Sequence, residues 1–135
     1  MIRAYHACTT FVDAQVGTVL DTMDRLKLWD NTVVVLLRDH GYHLGEHGWW
    51  NKVTVFDIGA RVRFVMWVPK TIGMGDETEV VVELLDLYPS LVDLCGLKPP
   101  HELSSESLRP LVEDASVRRQ KPAFTQVVRA PVGMG

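Results

Sequence analysis

The chain has 135 residues, of which 47% are hydrophobic and 23% are charged, and its formal net charge at pH 7 is −3. A chain of this length can form one domain with a buried core, and its composition argues against wholesale disorder. The negative charge gives no case for nucleic-acid binding, which needs a clustered basic face. No apolar stretch approaches the roughly 20 residues that span a bilayer, and no signal peptide is visible at the N-terminus.

The first half of the chain predicts a helix, a strand and a long loop. Between residues 5 and 28, apolar side chains recur at helical spacing with charged ones between them, which indicates an amphipathic helix. Residues 32–37 form a short apolar run rich in β-branched side chains, typical of a strand buried on both faces in a parallel sheet. The loop that follows, here called the site loop, continues to about Val53.

The second half predicts another strand and another helix. The apolar run at residues 64–68 indicates a strand, which we expect to lie parallel to the first, with both buried and the first helix packed against them. Residues 71–78 predict a surface loop. A helix should begin near Pro89 and end at Gly96, a residue type that often follows a helix. Residues 124–128 are a candidate for one further short strand.

This order of elements predicts the α/β class, because helices and strands alternate along the chain. Two or three strands form a poor sheet alone. We therefore expect the sheet to be incomplete and to belong to a larger one.

The site loop contains the residues most suited to chemistry. Residues 39–52 read Asp-His-Gly-Tyr-His-Leu-Gly-Glu-His-Gly-Trp-Trp-Asn-Lys. Asp39 and His40 follow the predicted strand directly, and ligands of α/β sheets bind at the carboxyl ends of strands. A carboxylate and an imidazole can ligate a divalent cation, and the ammonium group of Lys52 suits a sulfate or phosphate oxygen. The alternative is a loop-capping aspartate, a surface histidine and a solvated lysine.

A zinc-protease interpretation is disfavoured. His43, Glu46 and His47 fit the pattern H-x-x-E-H, which binds zinc when a helix brings both histidines to one side. Three glycines lie in and around the pattern, and each destabilises a helix interior by up to about 1 kcal/mol.

The site loop resembles the second signature of the sulfatases, within the alkaline phosphatase superfamily, and is most similar to iduronate-2-sulfatase-like and choline-sulfatase-like members. The resemblance extends over nearly the whole chain, through residues 11–17, 30–32, 85–97 and 107–111. It implies a large mixed sheet sandwiched between helices. Residues 1–135 would then form a partial catalytic domain, without the nucleophile segment and the C-terminal subdomain.

The resemblance also implies an activity and site residues. Sulfatases hydrolyse sulfuric esters with a formylglycine, made from the Cys or Ser of a C/S-x-P-x-R motif, and with a calcium ion. Asp39 and His40 match metal ligands of the family, Lys52 matches a lysine that contacts the sulfate, and His47 would have a supporting role. The cofactor implied is Ca²⁺, or another divalent cation such as Mg²⁺ or Mn²⁺, and the substrate is a small-molecule or saccharide sulfate ester.

The chain also departs from the family pattern. It has no C/S-x-P-x-R motif and no early Asp-Asp pair, and Arg38, Arg63 and Ser105 replace a small hydroxyl residue, a proline and a glycine. We therefore expect an internal fragment that is inactive alone and whose partners include the missing parts of its own fold. Three functions stay open: a sulfatase, a phosphate or phosphonate monoester hydrolase of the same superfamily, and a non-catalytic remnant that binds a metal or an anion.

Overall fold

The structure, a computed structural model, describes residues 1–71 and 75–128 and shows helices with a small sheet. The helices are α1 (Ile2–Leu26), α2 (Asp57–Ala60), α3 (Leu87–Leu94) and α4 (Arg109–Glu113), and the strands are β1 (Val34–Leu37) and β2 (Phe64–Trp67). Two short 3-10 turns lie at Glu46–Gly48 and Leu84–Asp86. Within the described residues, no helix is long and apolar enough to cross a membrane.

Helix α1 confirms the first predicted helix, with ends that differ by a few residues. It ends at Leu26, and the following Lys27 adopts a left-handed conformation (φ 54°) and donates its N–H to the carbonyl oxygens of the last turn. Met23 is its one buried residue. Ring contacts tie the region to the rest of the chain, with the Tyr5 and Tyr42 centroids 5.5 Å apart. Among the described residues α1 makes no substantial contact with β1 or β2, so the packing predicted between this helix and the strands is not found.

The two strands lie at the predicted positions, but their predicted parallel direction is wrong. β1 and β2 pair antiparallel, with Val34 opposite Trp67 and Leu37 opposite Phe64. The pairing continues beyond the strands, because the N–H of Arg38 donates to the carbonyl oxygen of Arg63 at 3.2 Å. The chain that leaves β1 thus enters β2 at the same end of the sheet, without crossing a face of the sheet.

The prediction that both strands are buried is also wrong for this chain. Leu36 of β1 and Val65 and Trp67 of β2 are exposed, and the other strand residues are half-buried. β2 alternates between half-buried and exposed residues, which is the period of a sheet with one covered face. Both runs are apolar strands, as their composition predicts, but composition alone does not show what covers them.

The second predicted helix is confirmed as α3, Leu87–Leu94, with Pro89 in its first turn and Gly96 after its end at φ 63°. The strand considered at residues 124–128 is not formed. There the N–H of Phe124 donates to a side-chain oxygen of Glu83 rather than to a neighbouring strand. Of the loop predicted at 71–78, residues 72–74 lie outside the described part of the chain, and the rest has no helix or strand.

A buried carboxylate organises the second half of the molecule. Asp86 is 0% exposed, and its oxygens accept hydrogen bonds from Arg119 (Nη1 at 2.6 Å and Nη2 at 3.0 Å), from Ser105 and from the N–H of Glu83 at 2.9 Å. The Nζ of Lys121 lies 3.5 Å away. Asp86 therefore fastens residues 114–121, which contain neither helix nor strand, to the start of α3. We call this group the Asp86 cluster.

We expect Asp86→Asn to lower the free energy of unfolding by about 3–5 kcal/mol, because the largely buried guanidinium of Arg119 loses its buried counter-charge and keeps, among the described residues, only the exposed Glu106, 3.8 Å away. Asp93→Asn is the matched control. Asp93 pairs with Arg109 at 3.2 Å, but both side chains are more than 40% exposed. Loss of this ion pair should lower the free energy of unfolding by less than about 1 kcal/mol. Urea unfolding of the two variants measures the difference, and equal losses would contradict the role given to Asp86.

The Asp86 cluster should also make stability depend on pH. Burial raises the pKa of Asp86, but hydrogen bonds from Arg119, Ser105 and the backbone of Glu83 outweigh it and hold that pKa well below the ordinary range. An unfolded aspartate titrates near about pH 3.9, so the unfolded chain binds more protons on acidification. This stabilisation should be complete above about pH 5 and decline below about pH 4. The free energy of unfolding, measured at intervals from pH 3 to pH 7, should therefore depend more strongly on pH in the wild type than in Asp86→Asn.

Candidate metal-and-anion site

The site loop is held by hydrogen bonds between its two arms and the short helix α2. The N–H of Gly41 donates to the carbonyl oxygen of Gly59 at 3.0 Å, and the N–H of His43 donates to the carbonyl oxygen of Asn51 at 2.9 Å. A side chain at position 41 would overlap the carbonyl oxygen of Ile58. Glycine is therefore required at this crossing, and the beginning and the end of the loop lie close together.

Asp39 and His40 converge immediately after β1. The Nε2 atom of His40 lies 3.4 Å from Oδ2 of Asp39. The other atoms of the two groups are engaged locally: Asp39 Oδ1 accepts the backbone N–H of His40 at 3.0 Å, and His40 Nδ1 lies 2.7 Å from the carbonyl oxygen of Gly41. That carbonyl oxygen can only accept, so Nδ1 carries a proton, and in the neutral ring Nε2 would present its lone pair beside Oδ2 of Asp39.

This arrangement fits two ligands of one divalent cation. Oxygen ligands of calcium lie about 2.3–2.6 Å from the ion, so two ligands at a right angle are about 3.2–3.7 Å apart. The 3.4 Å separation between His40 and Asp39 falls in this range. Within residues 1–71 and 75–128, however, no group of three or more His, Cys, Asp or Glu side chains is placed to hold a metal ion. The pair can therefore supply only part of a coordination shell.

The structure does not bring Lys52 and His47 into contact with this pair. Lys52 is exposed, its N–H donates to Oδ1 of Asn51 at 2.8 Å, and its ammonium group has no ion pair among the described residues. The ring of His47 stacks on Phe56, with centroids 4.2 Å apart and planes 11° from parallel. The ammonium group of Lys52 is thus free to bind an anion, whereas the ring of His47 packs on Phe56.

The geometry also excludes the zinc-protease alternative. Glu46–Gly48 is a short 3-10 turn in which His47 has a positive φ of 55°, so His43 and His47 do not follow one another along a helix. The Glu46 carboxylate accepts the N–H of Leu44 at 2.6 Å. Hydrogen bonds from its own N–H and that of Leu44 lower the pKa of Glu46. The glutamate therefore closes a turn instead of facing a metal-bound water.

A buried histidine was missed as a separate feature of the loop. His43 is 0% exposed, and its Nε2 lies 2.7 Å from Oγ1 of Thr54, which is also buried. Its Nδ1 is buried and has no hydrogen-bond partner among the described residues. The sequence pattern carries little signal for this burial, because His43 stands out only as part of the H-x-x-E-H pattern.

Comparison with known proteins identifies the family. A family model described as "Sulfatase" matches residues 1–97, which contain the whole site loop. The chain belongs to the sulfatase family. The resemblance inferred from the sequence is thereby confirmed.

Individual relatives agree with this assignment. The chain is 34% identical to iduronate 2-sulfatase of Mus musculus, over 73% of this chain and 22% of the relative. It is also 34% identical to choline-sulfatase of Rhizobium meliloti, over 85% of this chain and 21% of the relative. The chain therefore spans about a fifth of the length of the curated relatives it matches.

Solved structures confirm the α/β fold class. One protein, solved in complex with its substrate D-glucosamine-2-N,6-O-disulfate, superimposes with a TM-score of 0.74 and 28% identity, covering 81% of this chain and 22% of the other. A phosphonate monoester hydrolase from Silicibacter pomeroyi superimposes with a TM-score of 0.69 and 31% identity, covering 76% and 20%. The described residues thus adopt part of a sulfatase-like fold.

Two glycine substitutions should have opposite effects. Gly41→Ala should lower the free energy of unfolding by about 1–3 kcal/mol, because its methyl group meets the backbone of Ile58. Gly17→Ala, within α1, should raise it by about 0.5–1 kcal/mol, because nothing lies within 4 Å of the added carbon and alanine favours a helix. Thermal unfolding of both variants tests this. A neutral Gly41→Ala would mean that the loop crossing is not tight.

Proposed function

We propose that residues 1–135 form part of a sulfatase catalytic domain that hydrolyses sulfuric esters with the help of a divalent cation. In this proposal Asp39 and His40 are two ligands of the cation, Lys52 contacts the sulfate, and His47 supports the loop. The observation that carries it is the 3.4 Å approach of His40 Nε2 to Asp39 Oδ2 directly after β1, within the residues matched by the family model.

The chain's own residues would act by binding and orienting. A divalent cation at Asp39 and His40 would polarise the ester and stabilise developing negative charge. The family resemblance favours Ca²⁺, with Mg²⁺ or Mn²⁺ as alternatives, and a formylglycine nucleophile supplied by a C/S-x-P-x-R motif. The ammonium group of Lys52 would hold a sulfate oxygen as a point charge. Hydrogen bonds across the loop would keep these groups on one side of the molecule.

The proposed substrate class is a sulfate ester of a saccharide or another small molecule. A relative named iduronate 2-sulfatase and a similar structure bound to D-glucosamine-2-N,6-O-disulfate support the saccharide. The relative named choline-sulfatase supports the wider class of small molecules.

Cation binding should be weak and should depend on Asp39. Two protein ligands leave a hard cation mostly hydrated, so we expect a Kd for calcium of about 1 mM or weaker. Asp39→Ala should weaken binding at least tenfold, whereas Asp13→Ala, which removes an exposed carboxylate of α1, should leave it unchanged. Calcium titration followed by NMR measures both. Equal effects of the two substitutions would remove Asp39 from the ligand set.

Activity should be lost in this chain alone. Nucleophile and bound substrate act as a unit, so a site without its nucleophile loses most of its rate. The 135-residue sequence contains no C/S-x-P-x-R motif, and we expect no turnover of an aryl sulfate at any calcium concentration. Spectrophotometric assay of the chain tests this, with buffer and the Lys52→Ala variant as references. Turnover that depends on Lys52 would require a different nucleophile within these residues.

A second candidate function is the hydrolysis of phosphate or phosphonate monoesters. The similarity to a phosphonate monoester hydrolase, at 31% identity, favours it specifically. Both substrate classes present anionic oxygens to a cation and a lysine, so this part of the site suits either. Competition of inorganic sulfate, phosphate and methylphosphonate for Lys52, monitored by its NMR signals, would show which anion the loop prefers.

A further inference from the structure

We propose that His43 is a positioning residue, which fixes Lys52 relative to the Asp39–His40 pair through its buried hydrogen bond to Thr54. This inference rests on the proposed function, since it concerns the geometry of that site. It adds a residue to which the family resemblance assigns no role, and whose place in the H-x-x-E-H pattern is excluded as a zinc ligand by the 3-10 turn.

The first argument is the place of His43 between the two arms of the loop. Its N–H donates to the carbonyl oxygen of Asn51 at 2.9 Å, and its Nε2 lies 2.7 Å from Oγ1 of Thr54. Lys52 lies between Asn51 and Thr54 in the sequence. One residue therefore holds the chain on both sides of the proposed sulfate contact.

The second argument is the link from His43 back to the cation ligands. Position 59 is a glycine, and a side-chain carbon there would overlap Oγ1 of Thr54 and lie 3.4 Å from Nε2 of His43. The carbonyl oxygen of Gly59 accepts the N–H of Gly41, and the carbonyl oxygen of Gly41 is bonded to the ring of His40. Gly59 therefore packs closely against the His43–Thr54 pair, and from Gly59 two hydrogen bonds through Gly41 lead to the proposed metal ligand His40.

The third argument is backbone strain beside Lys52. Val53 has φ 68°, a left-handed conformation that a β-branched residue adopts only when its surroundings impose it. Its neighbour Thr54 is the residue that His43 holds. The buried contact would therefore keep the backbone after Lys52 in a conformation that it would otherwise leave.

Three substitutions separate hydrogen bonding from simple filling of space. His43→Leu fills a similar volume without a polar atom, Thr54→Val removes the hydroxyl at constant shape, and His43→Gln keeps a polar nitrogen near the position of Nε2. We expect amide hydrogen exchange of Gly41 and His43 to accelerate at least tenfold in the first two variants. In His43→Gln it should stay within about threefold of the wild type.

A reference amide distinguishes local opening from loss of the fold. The N–H of Cys95 donates to the carbonyl oxygen of Leu91 at the end of α3, away from the loop, and its exchange should not change. Equal acceleration at Cys95, an unchanged loop in His43→Leu, or a His43→Gln variant as fast as His43→Leu would each overturn the inference.

A paramagnetic cation reports on the site itself. Mn²⁺ at Asp39 and His40 should enhance the relaxation of the Gly41 and Lys52 amides, and Asp39→Ala should abolish both effects. In His43→Leu the effect at Lys52 should change at least twofold while that at Gly41 persists, and an unchanged Lys52 would overturn the inference. If Asp39→Ala leaves the Mn²⁺ effect intact, the proposed metal site fails, and the exchange experiment decides the role of His43 by itself.

Discussion

The antiparallel return of the chain is the constraint on which the site depends. Pairing of β1 with β2 continues past the strands through Arg38 and Arg63, and then through Gly41 and Gly59. Each step brings the segment after β1 closer to the segment before β2. Because the site loop lies between these segments, its two arms are held together at their base. Backbone hydrogen bonds therefore set the base of the loop, and the buried contact between His43 and Thr54 adds a side-chain link further along its arms.

The sequence predicted the elements of the fold better than their arrangement. Helical spacing and a glycine at position 96 located α1 and α3, and apolar runs located both strands, because these signals are local. Strand direction is not local. A run such as Val34–Leu37 is compatible with either pairing, and only the path of the intervening loop decides between them. The contact of Asp86 with Arg119 was missed for the same reason, since 33 residues separate the partners.

The candidate site was predictable as a set of residues but not as a geometry. Its acidic, imidazole and ammonium groups stand within fourteen residues, and the family resemblance attaches roles to them that the structure leaves to experiment. The close approach of Asp39 to His40 agrees with the sequence-based pairing. The burial of His43 could not be read from the sequence, because it depends on Thr54 and Gly59, which lie on the returning arm and carry no chemical signal of their own.

The small sheet has a further consequence. Among the described residues, β1 and β2 pair only with each other, so each strand has one edge whose backbone N–H and carbonyl groups are not used in the sheet. Such edges readily accept another strand, and here Leu36, Val65 and Trp67 add exposed apolar surface beside them. At high protein concentration, self-association of this chain should therefore begin at the sheet, with main-chain pairing as its driving contact. A strand peptide methylated on the backbone nitrogens of one edge can pair along its other edge only, so its binding should stop further strands from adding to the sheet.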